Sequence, residues 1–183
     1  MEPTRVIDRI WTEVGNVLAQ VQETEVEQLV GELLKAKRVF VTGEGRSGLV
    51  GRCFAMHLMH IGSPVYVVGE VVTPAIGPGD LLVAVSGSGA TPVTLTIVQR
   101  AMAAGAKGFL VSSKRDSPIG ELVRNVLVIP GKTKADEDES LSIQPMGSLA
   151  DQSAHLLLDA VVVLLMDRLG VKEAETKVRH TNL

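Results

Sequence analysis

The central segment of the chain reads Leu81-Leu82-Val83-Ala84-Val85-Ser86-Gly87-Ser88-Gly89-Ala90-Thr91-Pro92. Its first five residues are apolar without alternation, which is typical of a strand buried on both faces of a parallel sheet. Its last residue is a proline, which suits the first turn of a helix. The segment therefore predicts a buried strand that leads through a glycine- and serine-rich loop into a helix.

Similar short apolar runs lie on both sides of this segment. They cover residues 39–41, 65–68, 108–111 and 126–129. Helical patterns occupy about residues 47–61, 92–104 and 117–122, between most of these runs. This alternation predicts an α/β protein in which a five-stranded parallel sheet is flanked by helices on both sides.

The rest of the chain is also mostly helical in pattern. Residues 4–21 have apolar side chains at helical spacing, and a second helix is expected over about 26–36. A long apolar helix is predicted from Ser148 to about residue 169, with Gly170 as its end. Because 183 residues with 45% hydrophobic content can build one substantial core, we expect a single domain over residues 1–183. Its parts are the helix 4–21, a core of about 26–170 and a polar tail, 171–183.

Composition excludes several classes of partner. The formal charge of −3, with charges scattered along the chain, provides no basic stripe for nucleic acid. The longest apolar segment, residues 156–166, is interrupted by Asp159 and is too short to span a membrane. The N-terminus does not resemble a signal peptide, and the single cysteine, Cys53, fits a reducing cytoplasm. The positive mean hydropathy of +0.25 with only 3% aromatic residues favours a homo-oligomer.

The loop of residues 86–91, here called the phosphate loop, has the chemistry of an anion site. Glycines let the backbone approach a ligand, and amides at the start of the next helix point outward with the positive end of the helix dipole behind them. Hydroxyls of Ser86, Ser88 and Thr91 add further donors. A nucleotide-binding P-loop would need a Gly-Lys-Ser/Thr sequence, which is absent. We therefore predict that a phosphate monoester binds to this loop. The alternative interpretation is that its glycines and serines only form a tight turn.

A second glycine-rich turn follows the first strand and allows another hypothesis. It reads Gly43-Glu44-Gly45-Arg46-Ser47-Gly48 and matches the G-x-G-x-x-G pattern of dinucleotide folds, with Glu70 near the place of a ribose-binding carboxylate. A dinucleotide enzyme would also need a second domain to hold its substrate, and no chain remains for one. The acidic run of residues 136–139 is expected to be a solvated loop, because consecutive side chains diverge and do not converge on a metal.

These motifs resemble the sugar isomerase (SIS) domain family, and within it the 6-phospho-3-hexuloisomerases. The resemblance extends over nearly the whole chain, through six segments. They are residues 43–48, 55–62, 68–74 and 86–91, the stretch Pro145-Met146-Gly147-Ser148-Leu149, and the tail Arg179-His180-Thr181-Asn182-Leu183. The family implies a flavodoxin-like sheet and a tetramer with sites near subunit interfaces. It also implies no cofactor and no metal, with substrate contacts from Ser47 and the phosphate loop.

The resemblance further implies isomerisation of a 3-hexulose 6-phosphate to fructose 6-phosphate, the second step of formaldehyde fixation through ribulose monophosphate. Where the family has an aromatic residue and then a glutamate thought to be the base, this chain has Ala150 and Asp151. We expect Asp151 to be the base, although an acid in the first turn of a helix also stabilises the dipole. His180 is the second candidate catalytic residue, with a solvated tail as its alternative role.

Residues of the first loop and of the second strand end complete the predicted site. Gly45, Arg46 and Ser47 are expected to bind substrate, and Glu70 either to bind a sugar hydroxyl or to hydrogen-bond a neighbouring turn. Arg46 could equally pair with a glutamate. Two other functions stay open, because a shortened base would suit a non-catalytic sugar-phosphate sensor and the fold would suit an isomerase of another sugar phosphate.

Overall fold

The computed structural model describes residues 2–134 and 136–182. The strands are β1 (Val39–Gly43), β2 (Val65–Val67), β3 (Leu81–Val85), β4 (Lys107–Ser112) and β5 (Val126–Val128). The helices are α1 (Pro3–Leu18), α2 (Glu23–Lys35), α3 (Gly45–His60), α4 (Pro92–Ala103), α5 (Pro118–Val123), α6 (Ser148–Leu169) and α7 (Glu173–Arg179). A single 3-10 turn covers Glu139–Leu141.

The five strands form one parallel sheet in the order β2-β1-β3-β4-β5. The pairing register aligns Gly43 at the end of β1 with Val85 at the end of β3. The chain order reverses between these two strands, and ligands of open parallel sheets bind beyond the carboxyl ends at such a point. The predicted α/β class and its flavodoxin-like sheet order are confirmed.

Helices cover both faces of the sheet because successive strand side chains point to opposite sides. On one face, Val83 of β3 belongs to an apolar cluster with Phe54 of α3 and Leu158 of α6, which α1 and α2 extend. On the other face, the neighbouring Ala84 joins a smaller cluster formed with α4 and α5. The sheet is therefore the shared centre of a three-layer core.

The predicted elements are confirmed with small shifts at their ends. The first helix ends at Leu18, before the predicted residue 21, because the chain turns there so that Val21 can pack on the core from outside the helix. Gly170 ends α6 in the left-handed conformation, with φ 67°. By length and by a mean hydropathy of 1.6, α6 would also suit a membrane span, but its inner side packs in the core. The polar tail forms the short helix α7 beside the end of α3.

An ion pair between the half-buried Arg38 and the buried Asp80 joins the amino ends of β1 and β3. The Asp80 side chain is only 2% exposed and accepts hydrogen bonds from Nε of Arg38 at 2.9 Å and from its Nη2 at 2.6 Å. The backbone N–H of Gly77 donates a third bond at 2.8 Å. The paired Arg38 guanidinium holds the pKa of the Asp80 carboxyl below its usual range.

We expect Asp80→Asn to lower the free energy of unfolding by about 1.5–3 kcal/mol at neutral pH, since it removes charge-assisted hydrogen bonds. A depressed pKa in the folded state means that the ionised carboxylate stabilises the protein above about pH 4, and that this stabilisation is lost as pH falls through the folded pKa. Urea unfolding at pH 7 and pH 3 measures the effect. A difference between wild type and Asp80→Asn that stays constant over this range would contradict the assignment.

Candidate functional site

A cleft of about 260 Å³ lies beyond the carboxyl ends of β1 and β3. The N-termini of α3, α4 and α6 all open toward it, so unpaired backbone amides and three positive dipole ends face one small volume. Its lining residues come from five loops and helix starts. They are Glu44, Gly45, Arg46, Ser47, Gly87, Ser88, Thr91, Thr133, Lys134, Met146, Gly147, Ala150 and Asp151. Such a cleft is suited to a small anionic ligand.

The phosphate loop folds tightly against the sheet. Gly89 has φ 62°, and a Cβ added to it would lie 2.2 Å from Oγ of Ser117, so only glycine fits. Its N–H donates to the carbonyl of Ser86 at 3.0 Å, and the buried Ser86 hydroxyl lies 3.2 Å from Oγ1 of Thr91. As a result Gly87, Ser88 and Thr91 line the cleft, whereas Ser86 and Gly89 are buried and Ala90 is exposed, all three outside the lining.

The loop after β1 approaches the end of β3 closely. A Cβ added to Gly43 would lie 2.7 Å from the carbonyl oxygen of Val85, and one added to Gly48 would lie 2.5 Å from the carbonyl oxygen of Gly43. Larger residues could not occupy either position without moving the backbone. The two glycines thus let α3 begin directly against the strand ends, which brings Arg46 and Ser47 into the cleft.

Asp151 lies in the first turn of α6 and faces these two residues. Its Oδ1 accepts a hydrogen bond from Oγ of Ser47 at 2.8 Å, and its Oδ2 is 3.3 Å from Nε of Arg46. The side chain is 12% exposed. The sequence suggested a glutamate as the alternative partner of Arg46, whereas the observed partner is the aspartate Asp151.

The loop after β5 also contributes to the cleft, through residues that the sequence analysis did not identify. The Asp136 carboxylate accepts hydrogen bonds from the N–H and the hydroxyl of Thr133, both at 2.8 Å, and lies 3.2 Å from Nζ of Lys114. These bonds from Thr133, with the ammonium group of Lys114, hold the pKa of Asp136 below its usual range. This closed turn places Thr133 and Lys134 in the cleft. Thr133 and Lys134 follow the end of a predicted strand, and this position is the feature of the sequence that could have identified them as site residues.

Besides Ser86, Gly89 and Ala90, two further predicted site residues, Glu70 and His180, lie outside the cleft of their own chain. Glu70 pairs with Arg52 in an exposed ion pair on α3. His180 follows α7 and stacks on His60 at the far end of α3, with ring centroids 5.3 Å apart. Because α3 rises ~1.5 Å per residue, His60 is about 20 Å from Ser47. Burial, with the neighbouring His180 and His57, lowers the pKa of His60. Leu183, the last residue of the tail motif, lies outside the described residues.

A larger cleft of about 400 Å³ lies between α1 and the loops after β4 and β5. Lys132 lines this second cleft, whereas Lys134, two residues later in the chain, lines the first. The smaller cleft is the better site because three helix N-termini and the hydroxyls of the phosphate loop meet there. Within residues 2–134 and 136–182, no group of three His, Cys, Asp or Glu side chains could hold a metal ion. In the acidic run, Asp138 instead accepts a hydrogen bond from the backbone N–H of Ser140.

Fold and cleft together define an α/β protein that is built to bind a small anion at the switch point of its sheet. Comparison with known proteins gives the family: residues 32–156 match the SIS domain, and the chain belongs to the SIS domain family. The family resemblance predicted from the motifs is confirmed.

Two relatives and one solved structure match this chain over most of their length. The chain is 39% identical over 180 residues to a 3-hexulose-6-phosphate isomerase of Mycobacterium gastri, which covers 98% of this chain and 90% of that protein. It is 34% identical over 184 residues to a 3-hexulose-6-phosphate isomerase of Bacillus subtilis, with 100% of both chains covered. A Methanococcus jannaschii protein, whose crystal structure was described as implying 3-hexulose-6-phosphate isomerase function, superposes with a TM-score of 0.84. It is 32% identical, and 97% of this chain and 98% of that chain are covered.

The glycine contact that positions Ser47 can be tested by adding one methyl group. We expect Gly48→Ala to lower the free energy of unfolding by about 1–3 kcal/mol, because the new Cβ meets a backbone carbonyl. Thermal or urea unfolding measures this change. Gly31→Ala is the matched control, since Gly31 also lies in a helix but has no atom within 4 Å of its Cβ position. Equal effects of the two substitutions on the free energy of unfolding would show that the close approach of Gly48 to the Gly43 carbonyl does not restrict the residue at position 48.

Proposed function

We propose that this protein interconverts D-arabino-3-hexulose 6-phosphate and fructose 6-phosphate. The single observation that carries the proposal is the placement of the Asp151 carboxylate in the same 260 Å³ cleft as the phosphate loop. A sugar phosphate held by its phosphate at that loop would extend toward Asp151. The names of the full-length relatives support this choice of substrate.

The reaction moves a carbonyl from C3 to C2 of the hexulose. A base removes the proton from C2, an enediolate forms across C2 and C3, and a proton returns at C3 while the hydroxyl proton shifts from O2 to O3. The exchange is redox-neutral, so no cofactor is required. The 3-ketose 6-phosphate forms no stable five- or six-membered ring through its own hydroxyls, so the site also needs no ring-opening acid.

We assign the role of base to Asp151. The Ser47 hydroxyl, at 2.8 Å from Oδ1, orients the carboxylate toward the cleft. Arg46 offsets negative charge, first on the carboxylate and then on the enediolate. Aspartate is one methylene shorter than the glutamate expected from the family pattern, and Ala150 is also smaller than the aromatic residue expected beside it. The substrate would therefore approach α6 more closely in this chain.

The isomerase assay uses pure, metal-free protein and the 3-ketose, with formation of fructose 6-phosphate as the readout. We expect Asp151→Asn to lower kcat about 10²–10⁴-fold, as is usual for loss of a general base, with little change in fructose 6-phosphate binding. Asp151→Glu should retain turnover because it keeps a carboxylate. Asp167→Asn, an exposed carboxylate at the other end of α6, is the matched control.

Two results would assign another function. Saturable fructose 6-phosphate binding without turnover, unrescued by Asp151→Glu, would indicate a sugar-phosphate sensor. Turnover of a different sugar phosphate in a substrate panel, with none of the hexulose, would indicate another isomerase of the same fold.

We further propose that the protein is a homo-oligomer, with a tetramer favoured, and that one outer face of α3 and α6 is a contact between copies. Several exposed apolar side chains recur at helical spacing on these adjacent helices. They are Leu49 and Met56 on α3, and Leu156 and Val163 on α6, each 44–65% exposed. Most homo-oligomers are built from two-fold symmetric contacts, in which the same patch meets itself.

A two-fold contact across this face gives His180 access to a catalytic cleft. With the axis across the middle of α3, the start of α3 in one copy lies beside the end of α3 in the other. His180, which stacks on His60 at that end, would then reach the cleft that contains the partner's Asp151. We propose that His180 acts as the second proton-transfer group in the neighbouring subunit's site, and that Glu70 contacts substrate only in the assembly.

Mixing two inactive variants tests this exchange. Asp151→Asn and His180→Gln are co-refolded, so that hybrid pairs contain one site with Asp151 from one chain and the partner's His180. We expect recovery of about one quarter of wild-type activity, because half of randomly formed pairs are hybrids and each has one complete site. If His180 acts within its own chain, hybrids contain no complete site and activity stays at the level of the separate variants.

The remaining assignments follow from the proposed reaction. We propose that residues 1–183 act as one domain, that the protein works in the cytoplasm, and that it supplies fructose 6-phosphate in formaldehyde fixation through ribulose monophosphate.

A further inference from the structure

The phosphate loop provides hydrogen-bond donors but no cation. A phosphate monoester carries about −1.5 to −2 charges near pH 7, so its transfer from water into the cleft needs positive charge nearby. Among the described residues, four charged side chains line the cleft: Glu44, Arg46, Lys134 and Asp151. Arg46 is already paired with Asp151 at 3.3 Å, which leaves Lys134 as the free cation of this lining.

The backbone around Lys134 is fixed relative to the phosphate loop. The preceding residue, Thr133, is held by two hydrogen bonds to Asp136, and its Cγ2 would lie 3.5 Å from a Cβ added to Gly87 of the phosphate loop. On the other side, the amide nitrogen of Lys134 would lie 3.5 Å from a Cβ added to Gly147, at the start of α6. Lys134 therefore stands between the loop and α6.

The ammonium group of Lys134 makes no ion pair or hydrogen bond with the part of the chain that the structure describes, and the residue is exposed. Its neighbours of the same charge differ in this respect, since Lys114 pairs with Asp136 and Arg46 with Asp151. Lys134 is thus an unpaired cation on a fixed turn, beside a loop whose amides can bind an anion. A phosphate that enters the cleft can form a charge-assisted hydrogen bond with it.

We propose that Lys134 is the residue that captures the phosphate dianion of the substrate and so makes the cleft specific for phosphorylated sugars. This inference rests on the proposed function for the identity of the sugar. The lysine acts on the phosphate and not on the reacting carbons, so its contribution is the same in the ground state and the transition state. Such uniform binding sets KM and leaves kcat unchanged.

The test compares Lys134→Gln with Lys132→Gln, which removes the same charge from the same loop but on the side of the other cleft. For Lys134→Gln we expect KM for the 3-ketose and the calorimetric Kd for fructose 6-phosphate to rise about 10–100-fold, the range for loss of a charged hydrogen bond. We expect kcat to stay within about twofold of wild type. Lys134→Arg should restore most of the affinity, and Lys132→Gln should behave as wild type.

Two further readouts separate phosphate capture from a general effect of charge. Inorganic phosphate as a competitive ligand should lose affinity in parallel with fructose 6-phosphate, whereas weak binding of unphosphorylated fructose should not change. The fall of kcat/KM with added salt should be less steep in Lys134→Gln than in wild type.

Three results would overturn the inference: an unchanged Kd in Lys134→Gln, an equal loss in Lys132→Gln, or a lower kcat at constant KM, which would place the lysine at the reacting carbons. Because phosphate and fructose 6-phosphate binding are measured without turnover, they test Lys134 even if the protein proves not to isomerise the hexulose. Thermal unfolding of each variant verifies that the exposed substitution leaves the fold intact.

Discussion

Backbone contact at Gly43 and Gly48 is the constraint on which the cleft depends. Because neither residue has a Cβ, the start of α3 can lie against the ends of β1 and β3, where a methyl group would meet a carbonyl oxygen at 2.5–2.7 Å. This contact holds the first turn of α3, with Ser47, at the edge of the sheet where the cleft lies. In the phosphate loop, Gly89 is restricted in a similar way, because a Cβ at this position would meet the side chain of Ser117. Close approach of backbone thus defines both walls of the site.

Electrostatics explain why charged groups can share so small a volume. Three helix N-termini bring partial positive charge to the cleft, which stabilises the Asp151 carboxylate as well as an incoming phosphate. Arg46 offsets the charge of the Asp151 carboxylate, and Lys134 remains to offset the charge of a phosphate. The carboxylate and the phosphate would otherwise repel each other. Two cations in the lining of the cleft would let a carboxylate and a dianion occupy the same site.

Much of the fold was predictable from local pattern. Apolar runs of strand length, Pro92 at the start of α4 and Gly170 at the end of α6 act within a few residues of one another, so their effects are visible in the sequence. The phosphate loop was predictable for the same reason, because glycine, hydroxyl groups and a helix start are adjacent along the chain. The end of α1 was less predictable, because the packing of Val21 against the distant core decides it.

The sequence by itself determined the α/β alternation, the phosphate loop and the candidate residues of the first loop, all of which are local features. Only the tertiary structure decided which of the candidate residues lie close together. It joined Ser47 to Asp151 across 104 residues, brought Lys134 beside the phosphate loop, and placed Glu70 and His180 away from the cleft of their own chain. Such contacts depend on strand order and helix packing, since the loops that meet at one edge of a sheet are far apart along the chain.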